Sequence, residues 1–176
     1  MKNYIVGIAA TLILLSCKKE VNELPPATQT GAHTFGAKVD GNLWVTQGFG
    51  PVPANDILDA HFAPGKDLYI NARNFASSPN ETEFELFIKA VTAPGTYPFN
   101  LERSGITNSY GYYVKRNITP ENEWVTTTQY QGSVIITKID TISRFVSGTF
   151  QFNAINLYNA PQPLSVTEGR FDVKYQ

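Results

Sequence analysis

From Thr34 onward, apolar and polar side chains alternate with period two in short runs broken by Gly, Pro, Asn and Asp, the pattern of half-buried strands joined by turns. Phe35, Ala37 and Val39 share one side of a first strand, and Asp40-Gly41 supplies the positive φ of a tight hairpin turn before Leu43-Trp44-Val45. Leu58 to Phe62 and Leu68 to Ala72 form a second hairpin around Pro64-Gly65-Lys66-Asp67. The cleanest run is Glu83 to Ala90, with Phe84, Leu86, Ile88 and Ala90 against Glu83, Glu85 and Lys89, a strand buried on one face and wet on the other. Phe87 is the apolar residue on its polar side, placed to cover a neighbour. Thr96 to Leu101, Tyr110 to Val114 and Trp124 to Tyr130 extend the series. Thr119-Pro120-Glu121 is a helix start that the β-branched Val125-Thr126-Thr127-Thr128 resists, so one helical turn is the most expected there. Ser133 to Ile139, Phe145 to Ala154 and Leu164 to Tyr175 complete a C-terminal meander. About ten short strands without a convincing helix predict an all-β, single-domain fold over residues 34–176, either an antiparallel β-sandwich or a small β-barrel. A barrel can enclose a ligand, whereas a sandwich binds on its loops or an open face.

The first residues follow a different pattern. Met1-Lys2-Asn3 carries one positive charge, and Tyr4 to Leu15 is an uncharged apolar run, too short for the roughly 20 residues of a membrane-spanning helix. This predicts a signal peptide over residues 1–16. Leu14-Leu15-Ser16-Cys17 is similar to the lipobox of bacterial lipoproteins, and the resemblance implies that the thiol of Cys17 takes a diacylglycerol and becomes the new amino terminus. Each buried methylene of such a lipid is worth about 0.8 kcal/mol, so two or more chains hold the protein on a membrane. Cys17 is the single cysteine of the chain; its modification leaves neither a disulfide nor a thiolate metal site. Residues 17–33 are charged, then rich in proline and small polar residues, and are expected to form a flexible tether. Lys18 after the cysteine resembles outer-membrane sorting in diderm bacteria, on the cell surface or the periplasmic face.

Without Lys2 the chain carries 13 basic against 15 acidic side chains. A near-neutral surface without a basic block argues against nucleic acid, whose binding rests on phosphate neutralisation. Asp59 and His61 share a strand face as two metal ligands can, with Asp56 nearby, but a third and fourth ligand are not visible, so no metal or other cofactor is expected. His33 lies at the tether boundary, where solvation is its simplest state. No Gly-x-Ser-x-Gly elbow accompanies His61, and Glu83 and Glu85 alternate as a wet sheet face does, so no catalytic residue is assigned. The aromatic cluster Tyr97, Phe99, Tyr110, Tyr112, Tyr113 and Trp124 is more suggestive. Rings with polar tips stack on sugars or anchor partner proteins, and Tyr110, Tyr112 and Trp124 are the expected binding residues, against core packing as the plainer role.

Ala37-Lys38-Val39-Asp40-Gly41 with Trp44, Pro94-Gly95-Thr96-Tyr97, Ile136-Thr137-Lys138-Ile139-Asp140 with Ser147-Gly148-Thr149-Phe150-Gln151-Phe152, and Gly169-Arg170-Phe171-Asp172 occur in that order. Together they resemble a family of exported Bacteroidota lipoproteins of unknown function. The resemblance spans Thr34 to Val173 and implies an exported β-domain on a lipid anchor, with no activity or catalytic residue to carry over. Asp140-Thr141-Ile142 also resembles the Asp-Thr-aliphatic signal for O-glycosylation in Bacteroidota envelope proteins, which marks Thr141. The expected function is a membrane-anchored, non-catalytic module binding a glycan, a peptide or an envelope protein. The alternatives are a barrel carrying a small apolar ligand and, more remotely, an envelope hydrolase.

Overall fold

The computed structural model describes residues 22–48, 57–76, 80–116, 122–158 and 161–176. The signal peptide, Cys17, Asp56 and the helical turn expected at Thr119-Pro120-Glu121 lie outside them. Among the described residues there is no helix. The strands are β1 (Thr34–Val39), β2 (Asn42–Val45), β3 (Leu58–Ala63), β4 (Asp67–Asn74), β5 (Thr82–Ile88), β6 (Gly95–Phe99), β7 (Tyr110–Lys115), β8 (Glu123–Val125), β9 (Gly132–Asp140), β10 (Phe145–Asn156) and β11 (Pro163–Lys174).

All belong to one antiparallel sheet in the order β2-β1-β11-β10-β8-β7-β5-β4-β3, with β9 on β10 and β6 on β9. The sheet curls into a half-barrel, which favours the barrel over the sandwich. Its two ends approach each other: Gln47, just past β2, bridges Asn74 of β4, and the N–H of Gln176 donates to the Ala60 carbonyl of β3 at 3.1 Å. Strand β10 is long enough to serve two neighbours in turn. Phe145 to Phe152 pair with β9, and Ile155 and Asn156 then pair with β8.

The alternation of each strand sends large rings to the concave side. Phe35 of β1 lies 5.0 Å from Phe150 of β10 and 5.6 Å from Phe84 of β5, which in turn lies 4.7 Å from Trp44 and 4.8 Å from Tyr113, all between ring centroids. Burying each such side chain contributes about 1.5–3 kcal/mol. These rings occupy the space that a carried apolar ligand would need. They also explain the glycine between two tyrosines in β7, because a Cβ on Gly111 would stand 2.8 Å from the ring of Phe152.

Three local expectations change. Strand β5 ends at Ile88, because Ala90 has φ 51° and turns outward, its N–H donating to the buried Asp67 carboxylate. Strand β8 is only three residues long, because the Thr127 hydroxyl accepts from the N–H groups of Gln129 and Tyr130 and folds the chain back. Most consequential, the stretch expected as tether lies on the sheet from Leu24 onward. Leu24 and Pro25 cover Gly36 of β1, where a Cβ would meet Pro25 Cδ at 2.7 Å. Further on, the segment wraps Asp172 of β11. Asp172 Oδ2 accepts from the Thr28 hydroxyl at 2.6 Å and from the N–H groups of Thr30 and Ala32 at 3.0 Å. Its Oδ1 accepts from Gly31 N–H at 2.9 Å and from the Ser147 hydroxyl at 2.7 Å. This strap, residues 22–33, ends at His33, whose Nδ1 accepts from Lys174 N–H at 3.2 Å, so His33 is a joint in the fold and not a solvated tether residue.

Candidate functional site

The convex side of β3, β4, β5, β7 and β8 carries a second aromatic cluster, separate from the core. Register dictates its composition. His61, Tyr69, Phe87 and Tyr110 are successive partners across four strands, and their rings follow one another at centroid distances of 4.9, 4.5 and 5.4 Å. The next row of the same face, two residues along each strand, is Asp59, Asn71, Glu85, Tyr112 and Val125. A row of rings, stacked at His61–Tyr69 and tilted beyond, is therefore flanked by carboxylate, amide and phenol groups that end at Val125.

The two ends of this ladder differ. At the β7 end, Phe87 and Tyr110 are buried, and the loop between β6 and β7 reaches over Tyr110. Arg103 of that loop places its guanidinium 4.6 Å from the Tyr110 ring centroid and 4.9 Å from that of Tyr112. The Tyr110 hydroxyl donates to Glu85, and that of Tyr112 donates to Glu123 at 2.6 Å. Burial, and then the carboxylate each one donates to, hold both phenols well above the usual tyrosine range. They are neutral donors at any physiological pH. The loop is tied down by Glu102, whose Oε1 accepts from the Thr128 hydroxyl at 3.1 Å, and by Ser109, whose hydroxyl accepts from Lys89 N–H at 2.9 Å.

At the β3 end the ladder is open. His61 is exposed and lies parallel to the half-buried Tyr69, with rings 10° apart. Asp59 Oδ2 is 3.6 Å from His61 Nδ1. The result is an imidazole backed by a phenol ring, with a carboxylate at its edge and Asn71 in the adjacent row. Among the described residues, no three His, Cys, Asp or Glu side chains converge as a metal site would require.

Beyond Tyr112 and Asn71 lies an ionic knot centred on Glu83. Its carboxylate, only 8% exposed, accepts from Arg116 Nε and a terminal nitrogen of Arg116 at 2.9 and 2.7 Å, and from Asn71; Arg73 Nε stands at 3.7 Å. Glu83 is thus buried and paired, not part of a wet face. The hydrogen bond to Glu83, then burial acting the other way, set the Arg116 guanidinium, which ends above its usual range.

The structure divides the aromatic residues named from the sequence. Trp124 points into the core, with Nε1 donating to the Gln162 carbonyl at 3.0 Å, so it offers no surface to a ligand. Phe99 and Tyr113 are likewise core residues. Tyr110 and Tyr112 do lie on one outer face, but beneath Arg103. Thr141 is exposed in the turn between β9 and β10, where Asp140 Oδ1 accepts from the N–H groups of Ile142 and Ser143. Tyr69 and Arg103 escaped sequence reasoning. Tyr69 had a visible signal, a large ring between the inward Leu68 and Ile70; Arg103 had none, because its partners lie across a loop.

One family model matches residues 31–173, that of DUF6252, described as a domain of unknown function. Neither a curated protein nor a solved structure matches the chain.

Proposed function

The chain belongs to the DUF6252 family, and from that premise we propose that it is an envelope lipoprotein, anchored through Cys17 in the outer membrane, whose domain is a non-catalytic module for binding glycans. The observation that carries the binding role is the open end of the aromatic ladder. A flat, backed ring at His61 and Tyr69 suits the apolar face of a pyranose, and Asp59 and Asn71 beside it are acceptors and donors for its hydroxyls. The core rings argue against the carrier alternative, since they fill the concave side where an apolar ligand would sit. The signal-peptide and lipobox patterns support the anchor and the envelope location.

Heteronuclear NMR of the purified chain, titrated with gluco-, xylo-, manno- and N-acetylglucosamine oligosaccharides to millimolar concentration, tests the reading. The expected result is saturable shifts confined to Asp59, His61, Tyr69 and Asn71 with one sugar class, lost in His61→Ala, while mass spectrometry finds the oligosaccharide intact. Shifts with none of the sugars refute glycan binding at the ladder. Shortened oligosaccharide refutes the non-catalytic role.

A further inference from the structure

We propose that the outer wall formed by β1 and β2 lies against the phospholipid headgroups of the anchoring membrane, and that the wall carrying Arg103, Tyr110 and Tyr112 is thereby turned away from it. This rests on the lipid anchor inferred above, and the strap sets the geometry. A tether free from Cys17 to His33 would span about 50 Å and leave the domain in any orientation. The segment is instead on the sheet by Leu24, and its first described residue is Asn22. Five peptide steps separate Asn22 from Cys17, a reach of at most about 18 Å. Lys18 and Lys19, within those steps, add cations that favour an anionic headgroup layer.

The place where the strap lands decides which wall is held close. Leu24 and Pro25 sit on Gly36, and Gly36 pairs with Val45 of β2. Around the curled sheet, β7 is four strands from β1 by way of β11, β10 and β8. It is also four strands away by way of β2, the Gln47–Asn74 bridge to β4, and β5. The β7 wall therefore faces opposite to the anchored one, and the loop with Arg103 projects from it. Asp172, opposite Thr34 on β11, holds residues 28–32 and so limits how far the leash lengthens when Leu24 and Pro25 lift.

The experiment uses the full chain exported with its own leader. Because Cys17 is its single cysteine, lipid modification leaves no free thiol, and Leu43→Cys on β2 or Ile106→Cys on the β6–β7 loop gives one labelling site each. Both positions are solvent-exposed, at 36% and 64%. Each donor-labelled protein is reconstituted into phosphatidylethanolamine and phosphatidylglycerol vesicles containing a headgroup-linked acceptor. Energy transfer from position 43 should exceed that from position 106 by about twofold or more, since opposed walls stand at least about 10 Å apart. A glycine-serine insertion after Glu20 should abolish the difference. Equal transfer from the two sites in a protein whose mass confirms the lipid, or greater transfer from 106, overturns the orientation and leaves the anchor standing. A mass without lipid on Cys17 overturns the anchor and the orientation together.

Discussion

Replacing Asp172 by asparagine isolates the device that holds the strap. The carboxylate is 1% exposed and accepts from two hydroxyls and three backbone N–H groups at 2.6–3.0 Å. Burial alone would push this carboxyl up, but the Thr28 hydroxyl, the Ala32 N–H, the Ser147 hydroxyl and the Thr30 N–H hold it well below the usual carboxylate range. Asparagine keeps one acceptor oxygen and turns an NH₂ toward groups of which only the Thr28 and Ser147 hydroxyls can turn round and accept. With the NH₂ at the Oδ1 position the Gly31 N–H is stranded, and at the Oδ2 position the N–H groups of Thr30 and Ala32 are. Hydrogen bonds to a charged group are worth about 1.5–3 kcal/mol each, and a stranded buried donor costs about 1–3 kcal/mol. The strap limits the loss by lifting away and giving its N–H groups to water, which places the expected destabilisation at about 3–4 kcal/mol. Urea unfolding at neutral pH measures it, and hydrogen exchange at Thr30, Gly31 and Ala32 localises it. The pH dependence has a definite sign. With the folded pKa below the unfolded value of 3.8, the contribution is present above that value and is lost as pH falls beneath it. Below pH 3.8 the wild type should therefore lose stability that the asparagine variant never had, and the two curves should converge. A variant within about 0.5 kcal/mol of wild type at pH 7, with those three amides still protected, would refute the reasoning.

Two further substitutions probe the remaining joints. Glu83→Gln should destabilise by about 1–2 kcal/mol, because it weakens the charge-assisted contacts of Arg116 and Arg73, which are half-exposed and can turn to water; a double-mutant cycle with Arg116→Met should recover much of that loss in urea unfolding. Gly36→Val should displace Leu24 and Pro25, since even a Cβ would stand 2.7 Å from Pro25 Cδ, costing about 1–3 kcal/mol and opening residues 22–27 to limited proteolysis while the sheet stays resistant.

The strands were legible in the sequence because each is half-buried, and alternation leaves its mark wherever one face is wet. The alternation of Phe84, Leu86 and Ile88 against Glu83 and Glu85 placed β5, and even Phe87 was identifiable as a residue with work on the outer side. What alternation leaves unsaid is which strand neighbours which. Tyr110 and Phe87 meet because β7 pairs with β5, and His61 joins them through β4, so the ladder exists only once the register does. The strap was hidden for a different reason. Prolines and small polar residues describe a mobile linker and a docked extended segment equally well, and its partner, Asp172, lies about 140 positions away. Trp124 was misplaced because a ring that packs a core and a ring that receives a sugar have the same composition, and only its direction in β8 distinguishes them.

The distance in sequence between the strap and Asp172 also imposes an order on events. The β9–β10–β11 meander joins neighbours through turns and can form from local contacts, whereas β1 pairs with β11 across 127–138 residues and the strap grips Asp172 across 140 or more. A chain made from its amino terminus displays the strap long before its partner exists. Throughout that interval residues 28–32 lack the Asp172 carboxylate around which they fold. Closure comes with the last strand, so the strap can dock only once the polypeptide is complete through to β11.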